Sequence, residues 1–405
     1  MGLFSGNPKD TRVYLDWASA APVSAAAQKA FVGALSTYGN PSSPHEEGRK
    51  AKEILEDARS RIAKQCGVKA PSVIFTSGAT EANALALRGR VRALGRSGTK
   101  RADMHMLYLP TMHSSVLKTI EELKQTGVQV EPIPLLRINA NDSQINIPAF
   151  IALLRPETIL VACDAVCGET GNRYDTRALR TAIDKAGYTG KALLHVDASQ
   201  LPLVEIIERT RLGADLMTLD ASKVGAVRGI GALIAAQTRS IAPIIFGGGQ
   251  EQGLRPGTEP TALAASFAAA LEECRTHHAE FSARAVHLRT VLLAHLTESP
   301  EKIQNLIINS GKHSAPHILN ISLLGRDTDY LVMLLDAAGY SVSTKSACET
   351  DTDSGSTVVL TITGDSARAM STLRISFGPT TTEAQVSSFA KELTKAVAFL
   401  DHLLY

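Results

Sequence analysis

DASKVGAVRGIGALIA, residues 220–235, decides how this chain is read. Lys223 stands alone between two apolar runs, ADLMTLD (214–220) and GIGALIAA (229–236). Runs of that length and composition read as strands buried on both faces. A lysine between them falls just past the carboxyl end of a strand, where open α/β sheets bind their ligands. Most lysines are solvated surface charges, so it is position rather than residue type that singles out Lys223.

The pattern repeats on the amino-terminal side. SVIF (72–75) leads through Ser77-Gly78 into a helical stretch from Ala79, and MHMLYL (104–109) precedes a helix over 114–127. TILVACDAV (158–166) comes before a helix from Asp175 to Gly187, and ALLHVDAS (192–199) is a further strand. Apolar strands separated by helices predict a mostly parallel sheet covered on both faces. After Pro260 an alanine-rich helix begins. HILNISLL (317–324), STLRISF (371–377) and a closing helix from Thr382 then predict a smaller α+β unit. The segment ETDTDSGS (349–356) is polar and short of core residues, the least ordered candidate.

Several residues fall where a ligand would lie. In TSGATEAN (76–83), Gly78 permits a tight turn, and the helix start beyond it offers free N–H groups to an anion, with Thr80 adding a hydroxyl. A plain helix cap is the other reading. Asp197 ends the strand LLHVD, and Gln200 follows three residues on. A carboxylate there caps a turn or meets a basic ligand. Asp197 and Lys223 at equivalent strand ends form the pair that grips a pyridine ring by its nitrogen and its aldehyde. His113, at a helix start, either caps or stacks on such a ring and moves protons. Arg374 is a candidate carboxylate clamp or one half of a surface ion pair. Of the five cysteines, Cys163 lies within an apolar strand, while Cys348 lies in a polar segment where a thiolate can attack or carry sulfur.

Composition bounds these readings. The 405 residues are 44% hydrophobic and 20% charged, with 42 basic and 40 acidic side chains and a net charge of +2. That is ordinary for a two-domain globular protein and points to neither nucleic acid nor an anionic membrane. No apolar run spans a bilayer, and MGLFSGNPKD does not read as a signal peptide. The odd cysteine count and the absence of CxxC argue against a disulfide framework or a metal site, so a cytoplasmic setting is expected. No G-x-G-x-x-G follows a first strand, which disfavours a dinucleotide-binding oxidoreductase.

Taken together, the chain resembles the pyridoxal-phosphate cysteine desulfurases of the NifS/IscS type, within the class V aminotransferase family. The likeness runs through YLDWASAAP (14–22), GNPSSPHEEGR (39–49), TSGATEAN, His113, HVDASQ (195–200), the lysine segment, GGGQEQGLRPGT (247–258), SAC (346–348) and LRISFG (373–378). It implies the fold of type I pyridoxal-phosphate transferases, α/β, with a mostly parallel seven-stranded sheet. Residues 21–262 would form the large domain and 263–405 the smaller α+β domain carrying the catalytic cysteine loop, with 1–20 packed on the latter. It implies that Lys223 condenses with the cofactor aldehyde and later shuttles protons. Asp197 would pair with the ring nitrogen, Gln200 would bond the ring hydroxyl, and His113 would stack on the ring. Ala79, through its backbone, and Thr80 would hold the phosphate. Thr258 would reach the phosphate of a second subunit's cofactor, making a homodimer. Arg374 would bind the carboxylate of L-cysteine. Cys348 would take its sulfur, leaving alanine, and pass a persulfide to an acceptor protein serving iron–sulfur cluster assembly or RNA thiolation.

The chain departs from the family near the phosphate. Where the family has Ser-x-His-Lys, this sequence has Asp220-Ala221-Ser222-Lys223, and Gly168 replaces an asparagine. Two unit charges ~4 Å apart repel by about 4 kcal/mol at an effective dielectric of ~20. Asp220 is therefore expected to point away, to be protonated or to be neutralised by a base such as Arg228, with Ser222 keeping one hydrogen bond for the phosphate. Lys223, Cys348 and Arg374 are all present, which favours an active or specialised desulfurase. A selenocysteine lyase or related lyase, and a weakened member serving as a scaffold, are the rival readings.

Overall fold

The computed structural model describes residues 12–139, 142–300, 302–344 and 355–403. Its centre is a seven-stranded sheet. In chain order the strands are β1 (Val73–Thr76), β2 (His105–Tyr108), β3 (Gln129–Pro132), β4 (Thr158–Asp164), β5 (Leu193–Asp197), β6 (Leu216–Asp220) and β7 (Gly231–Ala235). In space they run β1-β7-β6-β5-β4-β2-β3. β7 is antiparallel to both neighbours, whereas the pairs β6–β5, β5–β4, β4–β2 and β2–β3 are parallel. β1, β4 and β7 are buried at every position, as continuous apolar runs predict. The missed strand, β3, is the polar edge QVEP, with too few apolar residues to register as a strand.

Helices cover the sheet. α1 (Ala79–Arg96) follows Gly78, and α2 (Ser114–Gln125) buries Val116, Thr119, Ile120 and Leu123, one stripe at helical spacing. His113 caps α2, its ring Nδ1 accepting the amide of Ser115 at 3.1 Å. The helix expected from Asp175 spans Thr176–Lys185, with the Asp175 carboxylate capping Ala178. After Pro260 a single helix of 37 residues, Thr261–Thr297, runs along the large sheet's layer and packs on the closing helix Glu383–Leu403.

A second, antiparallel sheet joins Leu306–Ile308, Ile318–Leu323 and Thr372–Ser376. The amino-terminal segment ties into this half: Val13–Tyr14 pair with Tyr340–Ser341, and Ser376 donates its amide to Leu15. Residues 345–354, most of the segment expected to be least ordered, lie outside the described residues. Its last residue, Ser356, is buried and caps the helix Thr357–Thr363.

Three fully buried histidines support the core. Burial pulls the His105 and His195 rings down to about 4, with Arg155 adding to the effect at His105 and Asp197 opposing it at His195. His317, edge-on to Phe281, is pulled to about 3 by burial and by Arg173. A histidine with a depressed folded value contributes its full stability above the unfolded value of about 6.5 and loses it as pH falls toward the folded one. The urea midpoint should therefore drop between about pH 6.5 and pH 4. A flat midpoint across that window would mean that these rings take up protons in the folded state.

Candidate active site

The parallel register aligns the carboxyl ends of three strands. Asp164 pairs with Asp197 across β4 and β5, and Asp197 with Thr218 on β6. Burial raises the Asp164 carboxyl well above the usual range, and nearby Asp197 raises it further. The donors all go to Asp197. Asn83 on α1 donates to its Oδ2 at 2.9 Å, and Ser199 gives Oδ1 an amide at 3.0 Å and a hydroxyl at 2.7 Å. Asn83 also donates to Ser115, whose hydroxyl pairs with His113 Nδ1 at 2.9 Å. A chain of contacts thus runs from the expected stacking histidine to the expected ring partner.

Lys223 follows β6 in a short 3-10 turn and reaches toward the amino-terminal strand. Its Nζ donates to the carbonyls of Ala18, at 3.0 Å, and Ser19, at 2.5 Å. Gln200 Nε2 donates to the same Ala18 oxygen at 2.8 Å, so the two side chains share one acceptor. Burial draws the Lys223 ammonium below the ordinary lysine value; Asp220, Asp197 and Asp16 oppose this, and Arg374 adds to it. Desolvation of a lysine keeps more of it as the neutral amine, the form that attacks an aldehyde.

Arg374 is a buried residue, 3% exposed, and so is not one half of a surface pair. It donates to the Gly168 carbonyl at 3.0 Å, to Asp16 at 2.9 Å and to the Ser19 hydroxyl. A side chain at Gly168 would face Gln200, its Cβ 3.2 Å from Nε2, so the glycine stands where ring and substrate contacts would meet. Sequence reasoning missed Asp16, Asn83 and Ser199. Asp16 and Ser199 lie within the quoted stretches YLDWASAAP and HVDASQ and Asn83 within TSGATEAN, but no spacing rule marks them as partners.

The phosphate end differs from expectation. Asp220 does not point away. Its Oδ2 accepts the amide of Ala79, the first residue of α1, at 2.8 Å. Its Oδ1 accepts the Ser222 amide at 2.8 Å and the Ser222 hydroxyl at 2.6 Å. Both oxygens are used as acceptors, and among the described residues no base forms an ion pair with it, Arg228 included. Ser222 therefore spends its hydroxyl on Asp220. The amide of Ser77 goes to Glu81, which pairs with Arg255 at 3.1 Å. Thr80 and Thr258 are exposed. Cys348 lies outside the described residues. Among those described there is no group of three or more metal-ligating side chains, and no helix is long and apolar enough to cross a membrane.

Tested against pyridoxal phosphate, the site divides. The ring-and-aldehyde half fits: Asp197 is held by three donors, with Gln200 and Lys223 beside it. The phosphate half does not, because a carboxylate already holds the helix-start amide.

The class-V aminotransferase model matches residues 13–389. The chain is 31% identical over 383 residues to "Cysteine desulfurase IscS 1" of Archaeoglobus fulgidus, covering 94% of this chain and 95% of that protein. It is 30% identical over 424 residues to "Selenocysteine lyase" of Bos taurus, covering 97% and 95%. A solved structure titled "NIFS-LIKE PROTEIN" superposes with a TM-score of 0.86 at 26% identity, covering 96% of this chain and all of that one. The central sheet and its helices are the fold type I architecture. The chain belongs to the class-V aminotransferase family, on its NifS/IscS side.

Proposed function

We propose that the protein is a cysteine desulfurase that takes sulfur from L-cysteine, leaves L-alanine and carries the sulfur on Cys348 to an acceptor protein in iron–sulfur cluster assembly or RNA thiolation. The observation that carries this reading is a convergence. Lys223 and Gln200 share the Ala18 carbonyl, and Arg374 closes on the adjacent Ser19, so amine, ring partner and carboxylate clamp meet over one segment. In the overall change the Cβ–S bond of cysteine breaks and an S–S bond to Cys348 forms. Carbon keeps the electron pair and takes a proton while sulfur is oxidised to the sulfane level, so no external oxidant is needed.

A pyridoxal-type cofactor, when bound, supplies the electron sink for this chemistry. Asp197 and Gln200 would hold its ring and His113 would cover it, with Thr80 at the tail beside Ala79 and Ser222, whose donors Asp220 already takes. Lys223 holds a proton at Nζ and is placed to move it. Arg374 would bind the substrate carboxylate through the planar fork that it now shares between Asp16 and Ser19. The four described cysteines do not compete for the sulfur-carrying role. Burial pushes Cys66, Cys167 and Cys274 up to about 12 and Cys163 well above its usual value. Ser343, five residues before Cys348 in the sequence, pairs with Arg374. On the other side, Ser356 donates to Glu169, next to Gly168.

Residues 21–262 are read as the cofactor domain and 263–405 as the domain carrying Cys348, with 1–20 lying against the latter. Thr258 is exposed, as are Ile245 and Phe246 nearby, and a second copy is expected on this face. Four free buried cysteines suit a cytoplasmic setting.

Three outcomes check the reading. Lys223→Ala should abolish the visible absorbance that develops when pyridoxal phosphate or its analogues are added; unchanged absorbance would move the reactive lysine elsewhere. Cys348→Ala should keep that absorbance and lose sulfur release by at least about a hundredfold, some 2.7 kcal/mol in the barrier; sulfide formed at the parental rate would remove Cys348 from the mechanism. A relative named selenocysteine lyase makes the selenium reaction the second reading. Alanine release should be faster from L-cysteine than from L-selenocysteine, and the reverse order would select that second reading.

A further inference from the structure

The Asp220 carboxylate sits where topology leaves little choice. β7 lies antiparallel between β1 and β6, so Gly231 is in register with Thr76 on one side and Asp220 on the other. A Cβ on Gly231 would lie 2.7 Å from Gly78, so only glycine lets the 77–78 turn fold over this strand. Gly78 itself takes φ 155°, a backbone setting that a side chain rarely tolerates. The turn thereby aims the first amide of the 18-residue helix α1 at the end of β6, and the residue there is an aspartate. Its two oxygens collect one helix-start amide, one turn amide and one hydroxyl. These are donors of the kind that cradle an anionic tail, and they satisfy the orphan N–H and the positive end of the helix dipole from within the chain.

We infer that Asp220 is a built-in anion standing in place of the cofactor phosphate, so that the site selects a pyridine-4-aldehyde with an uncharged tail over the phosphorylated form. This rests on the reading of Lys223 and Asp197 as the ring-gripping pair. A phosphate dianion entering beside Asp220 finds the Ala79 amide and both Ser222 donors taken and a like charge facing it. To be bound it must expel the carboxylate, leaving a charge without its three donors. An uncharged tail asks for neither. Asp220 touches none of the reacting atoms; it determines which cofactor tail is accepted.

The test uses the full-length protein and visible absorbance titrations with two probes, pyridoxal 5′-phosphate and 5′-deoxypyridoxal. The deoxy compound is chosen because the free hydroxymethyl of pyridoxal closes onto its own aldehyde. The parent protein should bind the deoxy probe tighter than the phosphate. Asp220→Ser should tighten the phosphate at least about a hundredfold and change the deoxy probe by less than about fivefold. Asp220→Asn keeps the shape of the cap while removing its charge, and should move the same way if the serine variant folds poorly. A parent protein that binds the phosphate tighter than the deoxy probe overturns the inference and leaves Lys223 as the reactive lysine. Weaker phosphate binding by both variants overturns it too, and would show that the carboxylate has been adapted to hold the phosphate. No absorbance change with either probe in any of the three proteins overturns the cofactor reading and this inference with it.

Discussion

An amine brought into a half-buried cleft needs acceptors, and Lys223 finds them on the amino-terminal segment. The carbonyls of Ala18 and Ser19 face the strand ends and take its Nζ. That requirement fastens three parts of the molecule. Residues 13–19 pair with Tyr340–Ser341, bond Ser376 of the second sheet and meet Lys223 and Gln200 of the first. The Ala18 amide goes to the Ser376 hydroxyl while its carbonyl faces the lysine, so one residue bonds to both halves. Without this segment the Lys223 ammonium and the Arg374 guanidinium would lose their nearest acceptors together, because Asp16 and Ser19 hold the arginine. An unpaired buried charge costs several kcal/mol, on the order of 3–5. The organisation of the cleft and the closure of the two sheets onto each other are therefore one energetic problem with one solution.

The rest of the site follows from strand register. Parallel pairing places Asp164, Asp197 and Thr218 in a row, and an antiparallel strand inserted beside β6 brings Asp220 opposite the start of α1. Within that frame the chemistry is set by which side chain each strand end presents. Asp197 and Asp220 are built alike. Each ends a buried strand, each bonds the amide and hydroxyl of a serine two residues on, and each has its second oxygen satisfied from α1. The first is bonded by the Asn83 side chain. The second is consumed by the helix amide.

Much of this was legible in the sequence. Six of the seven strands of the large sheet announce themselves as apolar runs, since a strand buried on both faces needs no alternation to be seen. β3 did not, because an edge strand needs only backbone pairing on one side, and QVEP supplies little else. Asp197 and Lys223 stood out at strand ends, Gln200 by its spacing from Asp197 and Arg374 by its residue type, while their roles and the interest of Asp220 came from the family resemblance. What could not be read was direction. The three expected fates of Asp220 were to turn away, to be protonated or to be neutralised by a base. The structure makes it a cap, because β7, lying between β1 and β6, sets the helix-start amide of TSGATEAN beside the end of β6, a pairing that no local pattern encodes. Asp16 escaped notice for a similar reason. Its partner, Arg374, is 358 residues away, and only the folded chain brings the two together.

The charges in the cleft decide what it can hold. Lys223 and Arg374 bring two positive charges, and Asp16, Asp197 and Asp220 bring three carboxylates; Glu81 and Arg255 pair with each other. A serine at position 220 would leave this cleft balanced before any cofactor arrives. The aspartate leaves these five groups one negative charge in excess, which a cofactor bringing one net positive charge would cancel. A tail carrying two further negative charges would undo that in a desolvated space, where like charges a few ångströms apart repel by several kcal/mol. Exchanging a serine for an aspartate and a phosphate for an uncharged tail thus moves an anion from the ligand to the protein. The helix start keeps its counter-charge either way, which is why the fold accommodates the exchange without altering the strands that present it.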